Sequence, residues 1–196
     1  MNNDNFKSEL QNKNAKIIHF STAPRMSNRE YFFPDDLNNI INNNLSSDVI
    51  ISCSCIWQDN YPSAPGSVGV ILDVDIDDVI SASPDDSGSY QSSDGKDNCM
   101  GKSINESVLN DVFNKTVNYN EFRVKPNNVK IIGLYIKDVY NIHIIANKNL
   151  PGDQPGTPPI IQDDYIKLPK LIELFKKIPI YTLVNNLWLD ITKSIT

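Results

Sequence analysis

Short β-branched runs, separated by polar turns and not by regularly spaced helices, constrain this chain more than any other feature. Residues 16–20 read KIIHF and stop at the Ala23-Pro24 turn. Residues 48–57, DVIISCSCIW, alternate so that Ile50, Ser52, Ser54 and Ile56 share one face and Val49, Ile51, Cys53 and Cys55 the other. Residues 68–74, VGVILDV, read as a strand buried on both faces, continued by Val79 and Ile80. Further strands are expected at 122–124, 130–136 and 141–146. Helices are expected at 35–44, where Pro34-Asp35-Asp36 opens a Leu37, Ile40, Ile41 spacing, and at 108–117. The tail, 163–196, reads as one or two helices interrupted by Pro179, the first with Leu171, Leu174 and Phe175 as its apolar stripe. Strands and a few helices without a β-α-β rhythm predict an α+β fold.

At 196 residues the chain supports one sizeable core. Residues 1–15 are polar and expected to be frayed and flexible; residues 16–196 are expected to form a single domain. Residues 81–107 form a long Ser/Asp/Gly-rich segment of the kind that serves as a functional lid or stays disordered. The connector at 150–159, LPGDQPGTPP, is too short to divide domains, and no internal repeat is present. The abundance of Asn and Ile is read as genome bias and not as a functional signal.

The net charge of −6, without a Lys/Arg cluster, disfavours duplex nucleic acid or an anionic membrane as the main partner. No apolar run approaches the roughly 18 residues of a membrane span, and the first residues lack the apolar centre of a secretory signal. Three cysteines, Cys53, Cys55 and Cys99, are too few and too closely placed for a disulfide framework, so reduced thiols are expected.

Several short motifs fail on their spacing. Gly101-Lys102-Ser103 resembles the end of a phosphate-binding loop, but the upstream position that requires glycine holds Lys96. Asp73, Asp75 and Asp77 imitate a calcium loop whose sixth position is Asp78 and whose twelfth is Pro84, where Gly and Glu are needed. Cys53 and Cys55 with only His19 and His143 do not make a zinc site by spacing, so no metal is expected. Matches to glycosylation acceptors at Asn44, Asn105 and Asn114 are the chance product of a chain rich in Asn.

One ordered set of features survives. A first strand carries His19, with Ser21 and Arg25 just after. A second strand carries Ser52 and Ser54, and a late strand opens with Tyr119-Asn120-Glu121. This order resembles the mono-ADP-ribosyltransferase toxins, whose signature is Arg–Ser–Glu or, in one branch, a first-strand histidine. Ser52-Cys53-Ser54 stands where that family has Ser-Thr-Ser, and Tyr119-Asn120-Glu121 where it has Glu-x-Glu or Gln-x-Glu. The resemblance covers roughly 16–146 as short motifs and not as a continuous match.

The resemblance implies split mixed or antiparallel sheets around a cleft for NAD, which is a substrate. It also implies Glu121 as the catalytic carboxylate, Ser52 and Ser54 supporting the pocket, and His19, Ser21 or Arg25 contacting NAD. Tyr119 replaces the acid that prepares an arginine acceptor, so a different acceptor is implied, with the phenol shaping its pocket. A bacterial effector or toxin acting on a protein target is implied too, exported without a cleaved signal and working in the target cell's cytosol. The chemistry suits these residue types: cleavage of the nicotinamide–ribose bond develops positive charge on the sugar, and a carboxylate on the ribose 2′-hydroxyl binds that state preferentially. Two other functions remain open on the residues alone. One is an acidic, non-catalytic binding or immunity protein steered to a basic partner. The other is a hydrolase that pairs Cys53 or Cys55 with His143.

Overall fold

The computed structural model describes residues 1–20, 50–65, 68–85, 101–125, 128–140 and 178–195, with the strands at 90–91, 97–98, 143–148 and 160–165 and residues 168, 169, 172 and 175. The expected helix at 35–44, Ser21, Arg25 and Cys99 lie outside the described residues, as do Leu171 and Leu174.

The chain opens with α1 (Asn3–Asn12), where a flexible terminus was expected. Asn2 caps it by accepting from the Asn5 N–H at 2.9 Å, and Phe6 is fully buried. Leu10, one turn further on, packs against the same core. Lys7 is paired with Asp73 and, at 3.3 Å, with Asp75, while Asn3 accepts the Ile76 N–H at 3.0 Å. A polar sequence hid an amphipathic helix because one fully buried aromatic, spaced four residues from a leucine, is enough to dock it.

Eight strands form one mixed sheet, in the order β12-β11-β8-β3-β1-β2-β7-β4. They are β1 (Lys16–Phe20), β2 (Ile51–Ile56), β3 (Val68–Asp73), β4 (Val79–Ser83), β7 (Glu121–Val124), β8 (Lys130–Ile136), β11 (Ile180–Val184) and β12 (Leu187–Asp190). Only β8 and β11 run parallel; the other neighbours are antiparallel. The short pairs β5 (Tyr90–Gln91) with β6 (Asp97–Asn98), and β9 (His143–Lys148) with β10 (Ile160–Tyr165), form ladders of their own. The α+β class is as expected. Among the described residues the eight-stranded sheet is continuous and divides only at a fork in β2, described below.

Period-2 alternation distributes the apolar residues to both faces. Ile17, Ile51, Cys53, Cys55, Val70, Leu72, Phe122, Leu134 and Phe6 of α1 make one core, joined by Val108, Leu109, Val112 and Phe113 of α2 (Glu106–Lys115). Ile18, Phe20, Ile56, Ile71, Tyr135 and Leu183 make a second core on the opposite face, with Tyr181 and Trp188 against it. β3 is therefore buried on both faces, as its unbroken apolar run requires.

The tail corrects the helical expectation for 163–196. Residues 168, 169 and 172 are helical, but β10 precedes them and the β11–β12 hairpin follows. Pro179 immediately precedes β11, and its carbonyl accepts the Leu134 N–H at 2.9 Å, which starts the parallel pairing of β11 on β8. Asn185 and Asn186 both have positive φ, 48° and 61°, between the paired Val184 and Leu187. This is the two-residue turn whose twist suits a hairpin, and asparagine tolerates that backbone.

The sheet curls strongly. Four strand steps separate β12 from β1, about 19 Å in a flat sheet. Yet Trp188 Nε1 donates to the Asn14 carbonyl at 2.8 Å, and Lys16 Nζ lies 5.3 Å from the centre of the Trp188 ring. The curl encloses the second core. Gly133 allows it, since a Cβ there would stand 2.8 Å from the Tyr181 ring.

Docking of α1 through one aromatic makes a sharp expectation. Phe6→Ala lowers unfolding stability in urea by about 3–5 kcal/mol, the cost of emptying a buried aromatic site. A loss under about 1 kcal/mol, typical of surface changes, would show that α1 does not share the core.

Candidate functional site

The sheet forks at β2. Its last residues, Ser54 to Ile56, pair with Ile18 to Lys16 of β1, whereas Ile51 to Cys53 pair with Val124 to Phe122 of β7. β1 runs on to Phe20, but from His19 onward it pairs only with β3. The backbone of β2 that β1 has left is met by a side chain: His19 Nδ1 lies 2.7 Å from the Ser52 carbonyl oxygen. A carbonyl only accepts, so Nδ1 carries the proton and Nε2 is the acceptor nitrogen of the ring.

Glu121 opens β7 on the other side of the fork and is half-buried. The Ser52 hydroxyl donates to Glu121 Oε1 at 2.7 Å, the ordinary length of a good O–H···O hydrogen bond. His19, Ser52 and Glu121, which come from three strands and are 33 and 69 residues apart in sequence along these two contacts, thus form one connected group. The opening of a fork is where such a group can be both held by backbone and reached from outside.

The other expected site residues divide. Ser54 is buried, and its hydroxyl donates to the Asn120 carbonyl at 2.8 Å, so it holds the backbone beside Glu121. Tyr119 is half-buried, two residues before Glu121. Ser21 and Arg25 follow the end of β1, outside the described residues.

Two asparagines carry more of the local structure than the sequence signalled. Asn120 is fully buried; its Oδ1 accepts the Cys55 N–H at 2.7 Å and its Nδ2 donates to the Cys55 carbonyl at 2.8 Å. Asn60 accepts the Trp57 N–H at 2.8 Å and donates to the same Cys55 carbonyl at 2.9 Å. In a chain so rich in Asn, nothing local distinguishes these two; only the positions they reach do.

The electrostatics are set mainly by burial. Burial pushes the His19 imidazole below its usual range, against the opposing effect of the bond to Ser52, so the ring is neutral at neutral pH. Burial pushes the Cys53 and Cys55 thiols far up, and for Cys53 the Glu121 charge adds to it. Both cysteines are therefore buried thiols that favour the protonated form, which disfavours them as nucleophiles. Among the described residues, no cluster of three or more His, Cys, Asp or Glu side chains is placed to hold a metal ion, and no helix is long and apolar enough to cross a membrane.

No protein-family model matches this chain, and neither does any curated protein.

The lowered His19 value has a definite sign in stability. The folded state favours the neutral ring, while the unfolded chain takes up a proton near the ordinary value of 6.5. The contribution is therefore complete above that pH and is lost as pH falls below it towards the folded value. Urea unfolding of wild type is expected to weaken between about pH 7.5 and pH 5.5, and His19→Gln to flatten that part of the dependence. Equal slopes for the two proteins would show that the ring is not buried neutral.

Proposed function

We propose that this protein is an NAD-dependent mono-ADP-ribosyltransferase with an ADP-ribosyltransferase-like fold, transferring ADP-ribose from NAD to a protein acceptor other than an arginine. The observation that carries the reading is the junction of Ser52 Oγ with Glu121 Oε1 at 2.7 Å, beside an imidazole anchored on the Ser52 carbonyl.

In this reading the nicotinamide–ribose bond breaks with its electron pair moving to the ring nitrogen, which leaves as neutral nicotinamide. The acceptor's lone pair then bonds the anomeric carbon and the acceptor loses a proton. Glu121 holds the ribose 2′-hydroxyl and strengthens that bond as positive charge develops on the sugar. Ser52 keeps the carboxylate aimed, so little reorganisation is needed during the reaction. The neutral His19, with Nε2 as acceptor, suits a ribose hydroxyl better than a phosphate. Anchoring the pyrophosphate then falls to Arg25, with Ser21 as a further donor. Tyr119 shapes the acceptor side. The reading makes the protein an effector that acts in the cytosol of a target cell.

Incubation with labelled NAD and a eukaryotic or bacterial lysate tests the reading. Wild type labels a discrete acceptor; Glu121→Gln loses about 10²–10³ in rate, the cost of removing one charge-stabilising group, and Ser52→Ala loses less. Equal labelling by wild type and Glu121→Gln would discard Glu121. Calorimetry with NAD separates this reading from a non-catalytic binding protein, which would give no heat.

A further inference from the structure

We infer that Asn120 is a positioning residue for Glu121: its side chain replaces a stretch of strand pairing and thereby sets where the carboxylate stands. The inference rests on the reading of Glu121 as the catalytic group.

The register of β2 on β7 runs Ile51↔Val124, Ser52↔Arg123, Cys53↔Phe122 and then stops. Continued by two places, it would put Asn120 opposite Cys55. Asn120 does face Cys55, but its carboxamide makes the two bonds that a neighbouring strand's backbone would make, at 2.7 and 2.8 Å. Its own carbonyl is held from the side by the Ser54 hydroxyl at 2.8 Å. The residue before Glu121 is thus tied to β2 at three points, all out of solvent. Its peptide link to Glu121 has little freedom left, and the next side chain along is the one that meets Ser52.

The chemistry of the clamp is specific. Cys55 offers both an N–H and a C=O, so the partner must be an acceptor and a donor held side by side, which a primary amide supplies and a carboxylate does not. A protonated carboxyl is a near isostere of that amide. Once ionised it offers acceptors only, and it then faces the Cys55 carbonyl with like polarity. Asn60 shares the Cys55 carbonyl but ties it to Trp57, away from Glu121, and so serves as a control for plain stabilisation.

The test uses Asn120→Asp, with two readouts: NAD turnover, and the Cδ resonance of Glu121 in selectively labelled protein. At the acid end of its pH range the variant keeps the wild-type resonance and turnover. As the introduced carboxyl ionises, kcat falls at least about tenfold while KM for NAD holds, since one buried hydrogen bond is lost and a repulsion gained. The resonance moves in the same direction as in Ser52→Ala. Ser54→Ala, which cuts only the bond to the Asn120 carbonyl, moves both readouts the same way by less, and it serves if the first variant does not fold. Asn60→Ala lowers Tm but moves neither. A resonance indifferent to Asn120→Asp and Ser54→Ala, or one that Asn60→Ala moves equally, overturns the positioning role. A wild type that turns over no NAD, while the resonance still follows Asn120, supports the positioning and overturns the enzyme reading instead.

Discussion

The double hydrogen bond between the Asn120 carboxamide and the backbone of Cys55 is the constraint on which the rest of the site depends. β2 has to serve two neighbours, β1 at one end and β7 at the other, and between them a strand leaves polar backbone groups without a ladder. Buried, each such group costs about 1–3 kcal/mol if left without a partner. The chain meets this cost with side chains: Asn120 and Asn60 on Cys55, His19 on Ser52. The same side chains that satisfy the fork also gather its polar residues, so holding the sheet together and assembling the site are one physical event.

A second consequence of the sheet's geometry is the enclosed core on its far face. A strongly twisted sheet leaves a concave side that must be filled. Here the curl brings β12 round towards the start of β1, where Lys16 lies over the rings of Tyr181 and Trp188. Phe20, Tyr135 and Trp188 meet edge to face along the way, at centroid distances of 5.8 and 5.7 Å. Burial is not free of cost there: the Tyr135 hydroxyl is among the described buried groups without a hydrogen-bond partner. That burial pushes the pKa of the phenol far up, so the hydroxyl keeps its proton.

Much of the strand content was legible because alternation is a local property. KIIHF, ISCSCI, VGVILD and KIIGLYI become strands within three residues of expectation, and the two faces assigned to β2 hold. The errors fall where local pattern and tertiary contact disagree. α1 looked too polar to dock, because its apolar content is concentrated in Phe6 and Leu10. The tail looked helical, because the Asn185-Asn186 turn signal lies among many other asparagines and the strand after it, LWLD, is short. His19, Ser52 and Glu121 were singled out by their motif order in a family resemblance, yet their contact depends on a fork that no single strand encodes.

By itself, then, the sequence determined the α+β class, the strands before the tail that alternation marks, the two-sided burial of β3 and the residue types able to act at a site. Each of these follows from side-chain period and chemistry within a few residues. The tertiary structure decided which asparagines replace a strand, that β2 is shared between two partners, and that Ser52 meets Glu121 while Ser54 turns to the backbone. Those outcomes depend on hydrogen bonds between groups more than 60 residues apart, whose worth appears only once burial has removed water as the competing partner.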